Sequence, residues 1–298
     1  MKLGVFTAIL DHQPLETALD YLQGLGVQAV ELGCGGTAGH SHANPEILLN
    51  DAGALREFQR TIDRHHMEIS ALSCHGNPVH PNPETARAYD KTIRDTILLA
   101  QRLGLRRINT FSGCPGSDPD AHYPNWVTCP WPEDFQEVLD YQWNQVLIPY
   151  WRETAAFAAE HGVTQIALEM HPGFCVYHTE SLLRLRRAVG EQIGANLDPS
   201  HLIWQGMDPI AVIRALKGAI FHFHAKDTKI DPYNTAVNGV LDTKPYREQE
   251  TRSWNFRSVG YGNGLLYWKD MISNLRLAGY DHVISVEHED GLMSRSEG

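Results

Sequence analysis

The chain has 298 residues, 42% of them hydrophobic and 20% charged, which allows a large core and argues against a disordered chain. Its formal net charge of −11 argues against nucleic acid as a partner, because phosphate binding needs a basic surface. Five cysteines, an odd number without a CxxC pair, point to free thiols in a reducing compartment, so neither a disulfide framework nor a zinc ribbon is expected.

The first apolar run, in "MKLGVFTAILDHQ", is too short for a signal peptide and lacks a small-residue cleavage site, so it reads as a strand over Leu3–Thr7. No later segment approaches the length of a membrane span, and a cytoplasmic protein is expected. Further strand-like runs follow at Ala29–Leu32, Glu68–Ser73, Arg107–Phe111, Thr164–Met170, Ile193–Asp198, Ile220–Ala225 and Val283–Glu287. Amphipathic helical stretches lie between them, among them "PLETALDYLQGLG", "DAGALREFQRTIDRHH", "ETARAYDKTIRDTILLAQRLG" and "WNQVLIPYWRETAAFAAEHG". Several end on a glycine that accepts a left-handed turn, at Gly26, Gly104 and Gly162. No linker composition interrupts the alternation. The prediction is an α/β chain forming one (β/α)8 TIM barrel over residues 1–298. A doubly wound open sheet is the alternative, but the first strand lacks the glycine-rich turn of that fold. Only "HEDGLMSRSEG" follows the last strand, so the eighth helix is expected to be short or missing.

Side-chain parity supports closure, since alternate residues of a strand face opposite ways. In "TQIALEM", Ile166, Leu168 and Met170 share one face and Gln165, Ala167 and Glu169 the other. Likewise Gly194, Asn196 and Asp198 oppose Ala195 and Leu197, His222 and His224 oppose Phe221 and Phe223, and Ser285 and Glu287 oppose Ile284 and Val286. One face is bulky and apolar, as packing against helices requires. The other is small or polar, as a narrow barrel interior requires.

Glu169, Asp198, His224 and Glu287 then end strands five to eight on the inward face, at the mouth where such barrels carry their chemistry. Two like charges about 4 Å apart cost roughly 4 kcal/mol at an effective dielectric of about 20, so three converging carboxylates need protons or a cation. One imidazole completes a four-ligand set, and oxygen-rich ligation without thiolate favours Mn²⁺, Mg²⁺ or Co²⁺ over structural zinc. A single acidic strand end is ordinarily a solvated cap; four at one depth on adjacent strands are harder to read that way. His201 stands beside this set, while His222, one layer deeper, reads as a hydrogen-bonded core histidine.

The segments "ALEMHPG", "NLDPSH", "HFHAKD" and "SVEHED" resemble the signatures of the xylose isomerase-like TIM-barrel superfamily, also called sugar phosphate isomerase/epimerases, in the same order along nearly the whole chain. The resemblance implies one divalent cation, Mn²⁺ first, on Glu169, Asp198, His224 and Glu287. It also implies Glu169 and Glu287 as catalytic acid and base, with His201 on the substrate. Where epimerases place an arginine after the strand-seven histidine, this chain has Lys226, Asp227 and Lys229. Arg257 in "FRSVGYGNG" is the nearest replacement. The implied activity is a metal-dependent sugar isomerase or epimerase acting by proton abstraction next to a carbonyl. The alternative is a β-elimination lyase or dehydratase on 3-keto sugars or glycosides, of the C-glycoside-cleaving or inosose type. The superfamily's multi-zinc DNA-repair endonucleases fit the acidic charge poorly, and a non-catalytic sugar-binding module would need no paired glutamates.

Other residues are candidates of a second order. His75, with Asn77, reads equally as pocket lining or a polar turn; His171 points the same way as Glu169; Glu31 ends strand two inward, toward substrate or into a salt bridge. Trp126, in the aromatic loop "YPNWVTCPWP", could stack on a sugar ring or pin the loop. "GYGNG" (260–264) follows no strand and opens no fingerprint helix, so it reads as a flexible turn rather than a phosphate loop. The cysteines near the mouth read as passive. The expected partner is a small-molecule carbohydrate, with no nucleic acid and no membrane, and a homo-oligomer is left open.

Overall fold

A computed structural model describes all residues, 1–298. In chain order the elements are β1 (Lys2–Phe6), α1 (Leu15–Gly24), β2 (Ala29–Gly33), α2 (Pro45–Asn50), α3 (Ala52–Arg64), β3 (Glu68–Ser73), α4 (Pro83–Arg102), β4 (Arg107–Thr110) and α5 (Asp134–Asp140). Then come α6 (Ile148–Glu160), β5 (Gln165–Glu169), α7 (Thr179–Val189), β6 (Ile193–Leu197), α8 (Pro199–Trp204), α9 (Pro209–Ala215) and β7 (Ile220–Ala225). The chain ends with β8 (Asp227–Ile230), α10 (Pro232–Asn238), β9 (Trp254–Arg257), α11 (Leu265–Leu277) and β10 (Val283–Val286). Strands β1 to β7 and β10 pair in parallel, and β10 closes on β1, giving an eight-stranded barrel ringed by helices. The barrel strands fall within one residue of the predicted bounds. No helix is long and apolar enough to cross a membrane.

The two faces of the barrel wall follow the predicted parity. Outward Val30, Leu32, Leu72, Ile108, Ile166, Leu168, Leu197 and Phe223 are fully buried in one core with Leu19, Ile93, Ile97, Trp151, Leu182, Ile213 and Leu275 from the helices. Inward Glu31, Ser73, Asn109, Asn196, His222, His224 and Ser285 are also fully buried and satisfy one another by hydrogen bonds. His222 is the core histidine expected: it bonds Asn196 Oδ1 at 3.0 Å and Ser70 Oγ at 3.2 Å.

The ring of helices has a gap. Residues after β10 form only turns, so no eighth helix covers β10 and β1. There the outward Leu3 is 43% exposed, and Val5, Ile284 and Val286 are partly exposed.

Two segments depart from the sequence reading. The helix expected to start at Trp143 runs without a break from Asp134 to Glu160 and widens to π geometry over Tyr141–Leu147. Pro149 lies just beyond; it lacks an N–H and its ring crowds the preceding turn, and the wider turn accommodates both. The stretch between β7 and α11, in which the sequence marked no strand, contains the antiparallel pair β8–β9, enclosing α10. This excursion carries a small apolar cluster of its own, where Trp254 stacks on Trp204 with centroids 4.5 Å apart. "GYGNG" is no free turn. It wraps the buried carboxylate of Asp227, whose Oδ2 accepts the amides of Gly260, Gly262 and Asn263 at 3.0, 3.1 and 2.9 Å and the Trp268 indole N–H at 3.1 Å. A Cβ on Gly262 would stand 2.4 Å from the Thr228 carbonyl oxygen, so the wrap needs glycine there.

Candidate metal and active site

Glu169 is the last residue of β5, Asp198 follows β6, His224 lies near the end of β7 and Glu287 follows β10. Parallel strands in register bring them to one level, and a ligand atom from each lies within 4.8 Å of the others. Asp198 divides its two oxygens between tasks. Its Oδ1 caps α8 by accepting the Ser200 amide at 2.8 Å, while Oδ2 faces the cluster. Pro199 at the first helical position needs no such partner. A strand can thus end in a buried aspartate because half of the carboxylate belongs to a helix.

Beneath the cluster lies Glu31. Its carboxylate accepts from Ser73 Oγ at 2.5 Å, Asn109 Nδ2 at 2.9 Å, Ser285 Oγ at 2.7 Å and His224 Nε2 at 2.9 Å. Burial alone would raise its pKa, but the two histidines and Ser73 outweigh that and hold it well below the usual carboxylate range. An ionised Glu31 requires a proton on His224 Nε2, which leaves Nδ1 to face Glu287 at 3.1 Å and Glu169 at 3.4 Å. Hydrogen-bonded support of this kind is what orients a metal-binding imidazole.

Around the cluster, each glutamate has its own set of partners. Glu169 meets His201 Nε2 at 3.1 Å and His75 Nε2 at 3.0 Å. Burial would raise its pKa, but His201, His224 and His75 hold it well below the usual range. Glu287 meets the Lys226 ammonium at 2.7 Å, and the same ammonium lies 2.9 Å from both Asp198 Oδ2 and Glu289. Against the cost of burial, Lys226 and His224 bring Glu287 down to about 2. Lys226 itself is buried, but the carboxylates around it, Asp198 first, keep it charged. His171 packs on His201 with ring centroids 4.0 Å apart, and burial lowers it to about 3, so it is a neutral imidazole.

The donor set fits a divalent cation on a structural ground. Asp198 Oδ2 and His75 Nε2 are buried and face the cluster; each has a charged neighbour, Lys226 Nζ at 2.9 Å and Glu169 Oε2 at 3.0 Å, but neither makes a well-directed hydrogen bond. Such atoms in a dry site are costly unless an ion or substrate engages them. His75 is held in place by close backbone packing. Gly36, at φ +65°, lets the chain approach so near that a Cβ there would lie 1.9 Å from the His75 carbonyl oxygen.

A cavity of about 280 Å³ opens above the cluster, lined by Glu169, Glu287, His201, His75, His171 and Lys226 among others. The structure does not bring Arg257 or Trp126 into it. Arg257 donates to Asp290 Oδ2 at 2.8 Å and serves to tie β9 to the C-terminal segment. Trp126 packs edge-on against Tyr177 and lines a different cavity. Sequence reading missed Phe6, Phe111, Glu289 and Arg295, which also line the mouth. Phe111 ends the predicted fourth strand and could have been found by depth; Arg295 could not, because it arrives from the tail by an ion pair to Asp11 at 2.6 Å. Cys34, Cys74, Cys114 and Cys175 are buried free thiols; burial pushes Cys34 well up and Cys74 to about 12, so they are passive, as read.

The family model for the xylose isomerase-like TIM barrel matches residues 19–297. The chain belongs to that family. It is 40% identical to the uncharacterized protein YfiH of Bacillus subtilis, over 100% of this chain and 96% of that one. Over 50% of this chain and 47% of the other it is 28% identical to an inosose dehydratase of Geobacillus thermodenitrificans. Among solved structures, an IOLI protein with a bound zinc atom covers 100% of this chain and 93% of its own at 19% identity and a TM-score of 0.68. A D-tagatose 3-epimerase-like protein covers 100% and 94% at 20% identity and a TM-score of 0.63. Among the relatives matched by sequence, one is a dehydratase, and the solved structures share the barrel fold.

Proposed function

We propose that the protein is a divalent-metal-dependent isomerase or epimerase of a small carbohydrate. The observation that carries this reading is the pair of glutamates, Glu169 buried and Glu287 mostly buried, each ionised and each with a partner of its own beside the shared His224, on either side of Asp198 and His224. Glu169, Asp198, His224 and Glu287 would hold the cation, Mn²⁺ first, with Mg²⁺ or Co²⁺ as alternatives. When bound, it would supply Lewis-acid polarisation of a substrate carbonyl.

The protein's own groups do the rest. Ionised Glu287 takes the proton from the carbon next to the carbonyl, and Glu169, once it has received a solvent proton relayed through His201, returns that proton to the opposite face, which inverts the centre. Glu169 has His201 at hand to share its proton, and Glu287 has Lys226 to keep it ionised between turnovers. Neutral His171 and the side chain of His75 line the cavity and can hydrogen-bond substrate hydroxyls.

A second reading is elimination: with a leaving group β to the carbonyl, the same proton abstraction expels it. It is favoured by the partial match to a dehydratase and by Lys226, a cation within the cavity that can hydrogen-bond a leaving oxygen and offset its developing charge. Incubating Mn²⁺-loaded protein with ketoses and 3-keto glycosides in D₂O separates the two. Isomers carrying solvent deuterium support epimerisation, and an unsaturated product supports elimination. If no substrate exchanges a proton with solvent under any of the three metals, both readings fall.

A further inference from the structure

The mouth cavity has a neighbour. A second cavity of about 250 Å³ lies between β9, the excursion and the C-terminal segment, and His171 and Glu289 line both. The ring of Phe256 forms a wall of the second cavity and is itself approached by mouth residues, with Lys226 Nζ 4.7 Å from its centroid and the His201 ring 5.3 Å away. Tyr246 tilts against Phe256 with centroids 5.6 Å apart, so two aromatic rings border the space. Besides His171 and Glu289, its polar lining includes two amides, Gln249 and Asn255. Gln249 Oε1 is buried without a hydrogen-bond partner, and Asn255 spends its Nδ2 on the Gln249 carbonyl at 3.0 Å, leaving its own oxygen for a donor.

Resting on the carbohydrate reading of the mouth, we propose that this second cavity is a subsite for a second, unphosphorylated sugar ring, so that the substrate is a glycoside rather than a free monosaccharide. Aromatic faces with amide acceptors suit the apolar faces and hydroxyls of a pyranose. The Glu289 carboxylate at the junction opposes a phosphate there. The orphaned Gln249 oxygen is the group that a glycoside hydroxyl would satisfy, since a buried acceptor left alone is costly.

The test is calorimetric titration of the Mn²⁺-loaded protein with D-fructose and with trehalulose, turanose, maltulose, leucrose and isomaltulose. These carry a glucosyl ring on each non-anomeric hydroxyl of fructose in turn. At least one should bind about tenfold or more tightly than D-fructose, the worth of one or two good polar contacts. Gln249→Leu, which removes a buried orphan and keeps the volume, should abolish most of that gain and leave D-fructose binding unchanged. Tyr246→Ala, at a half-exposed ring, should do the same. Fructose binding with no gain from any second ring overturns the subsite and leaves the carbohydrate reading standing. A gain that survives both substitutions overturns its placement. If neither fructose nor any glycoside binds, the carbohydrate reading itself has failed and the subsite falls with it.

Discussion

At the scale of single residues, the most consequential group is Glu31, which the sequence left divided between substrate contact and salt bridge. It does neither alone: it fixes which nitrogen His224 presents to the mouth. Glu31→Gln keeps an acceptor but loses the charge that enforces the tautomer, and supporting changes of this kind cost about 10–100-fold in metal affinity. Calorimetry with Mn²⁺ should show a loss in that range, and unchanged affinity would disconnect Glu31 from the ion. The paired glutamates carry a second prediction. Glu169→Gln and Glu287→Gln should each lose turnover by about 10²–10⁴-fold with metal still bound, and one of them should retain exchange of the substrate proton with D₂O. Asp198→Asn removes a ligand charge but neither base, so its loss should track metal content. A glutamine variant with its metal and near-native turnover would reduce that glutamate to a ligand. The role of Glu31 was not legible because β2 and β7 are separated around the barrel by β1 and β10, and no local spacing joins residues 31 and 224.

At the scale of elements, the excursion between β7 and α11 is built around Asp227. Replacing it with alanine would take the acceptor from four amides, an indole and the Asn263 side chain at once, each worth about 1–3 kcal/mol where it is buried. Asp227→Ala should therefore lower stability by more than about 3 kcal/mol in urea titration, with Asp227→Asn recovering part of it. Asp242 pins the same excursion farther out, accepting the Ser253 amide at 2.7 Å and the Lys244 ammonium at 2.8 Å. Although burial opposes it, these bonds, Lys244 first, bring its carboxyl down to about 2. A depressed folded-state pKa gives stability that is present above the ordinary aspartate value near 4 and is lost as pH falls toward 2. Proteolysis of the excursion should thus rise across that window, and less so in Asp242→Asn, which has no charge to lose. The barrel strands were legible because period-two parity is local. The β8–β9 pair was not, because its halves are short and more than twenty residues apart, with the pairing decided by Trp254 against Trp204. Arg257 misled for the same reason: its place beside Asp290 depends on a strand that the sequence did not announce.

At the scale of the whole molecule, the polar interior and the apolar shell do separate work. The shell carries the stability, where each fully buried aliphatic side chain is worth about 1.5–3 kcal/mol, and the interior spends its hydrogen bonds on orienting the mouth. The shell is incomplete over β10 and β1, where Leu3, Val5, Ile284 and Val286 lack the cover their counterparts have elsewhere. A closed sheet with one thinly clad seam has a preferred place to breathe. Amide hydrogens of β1 and β10 should exchange with solvent by local opening, well ahead of those in β5 and β6, whose protection should approach that of global unfolding. Uniform protection around the barrel would show that backbone closure alone holds the seam. Because Glu287 directly follows β10, each such opening would also loosen one corner of the mouth, tying the lifetime of the assembled site to the slowest-packed joint of the barrel.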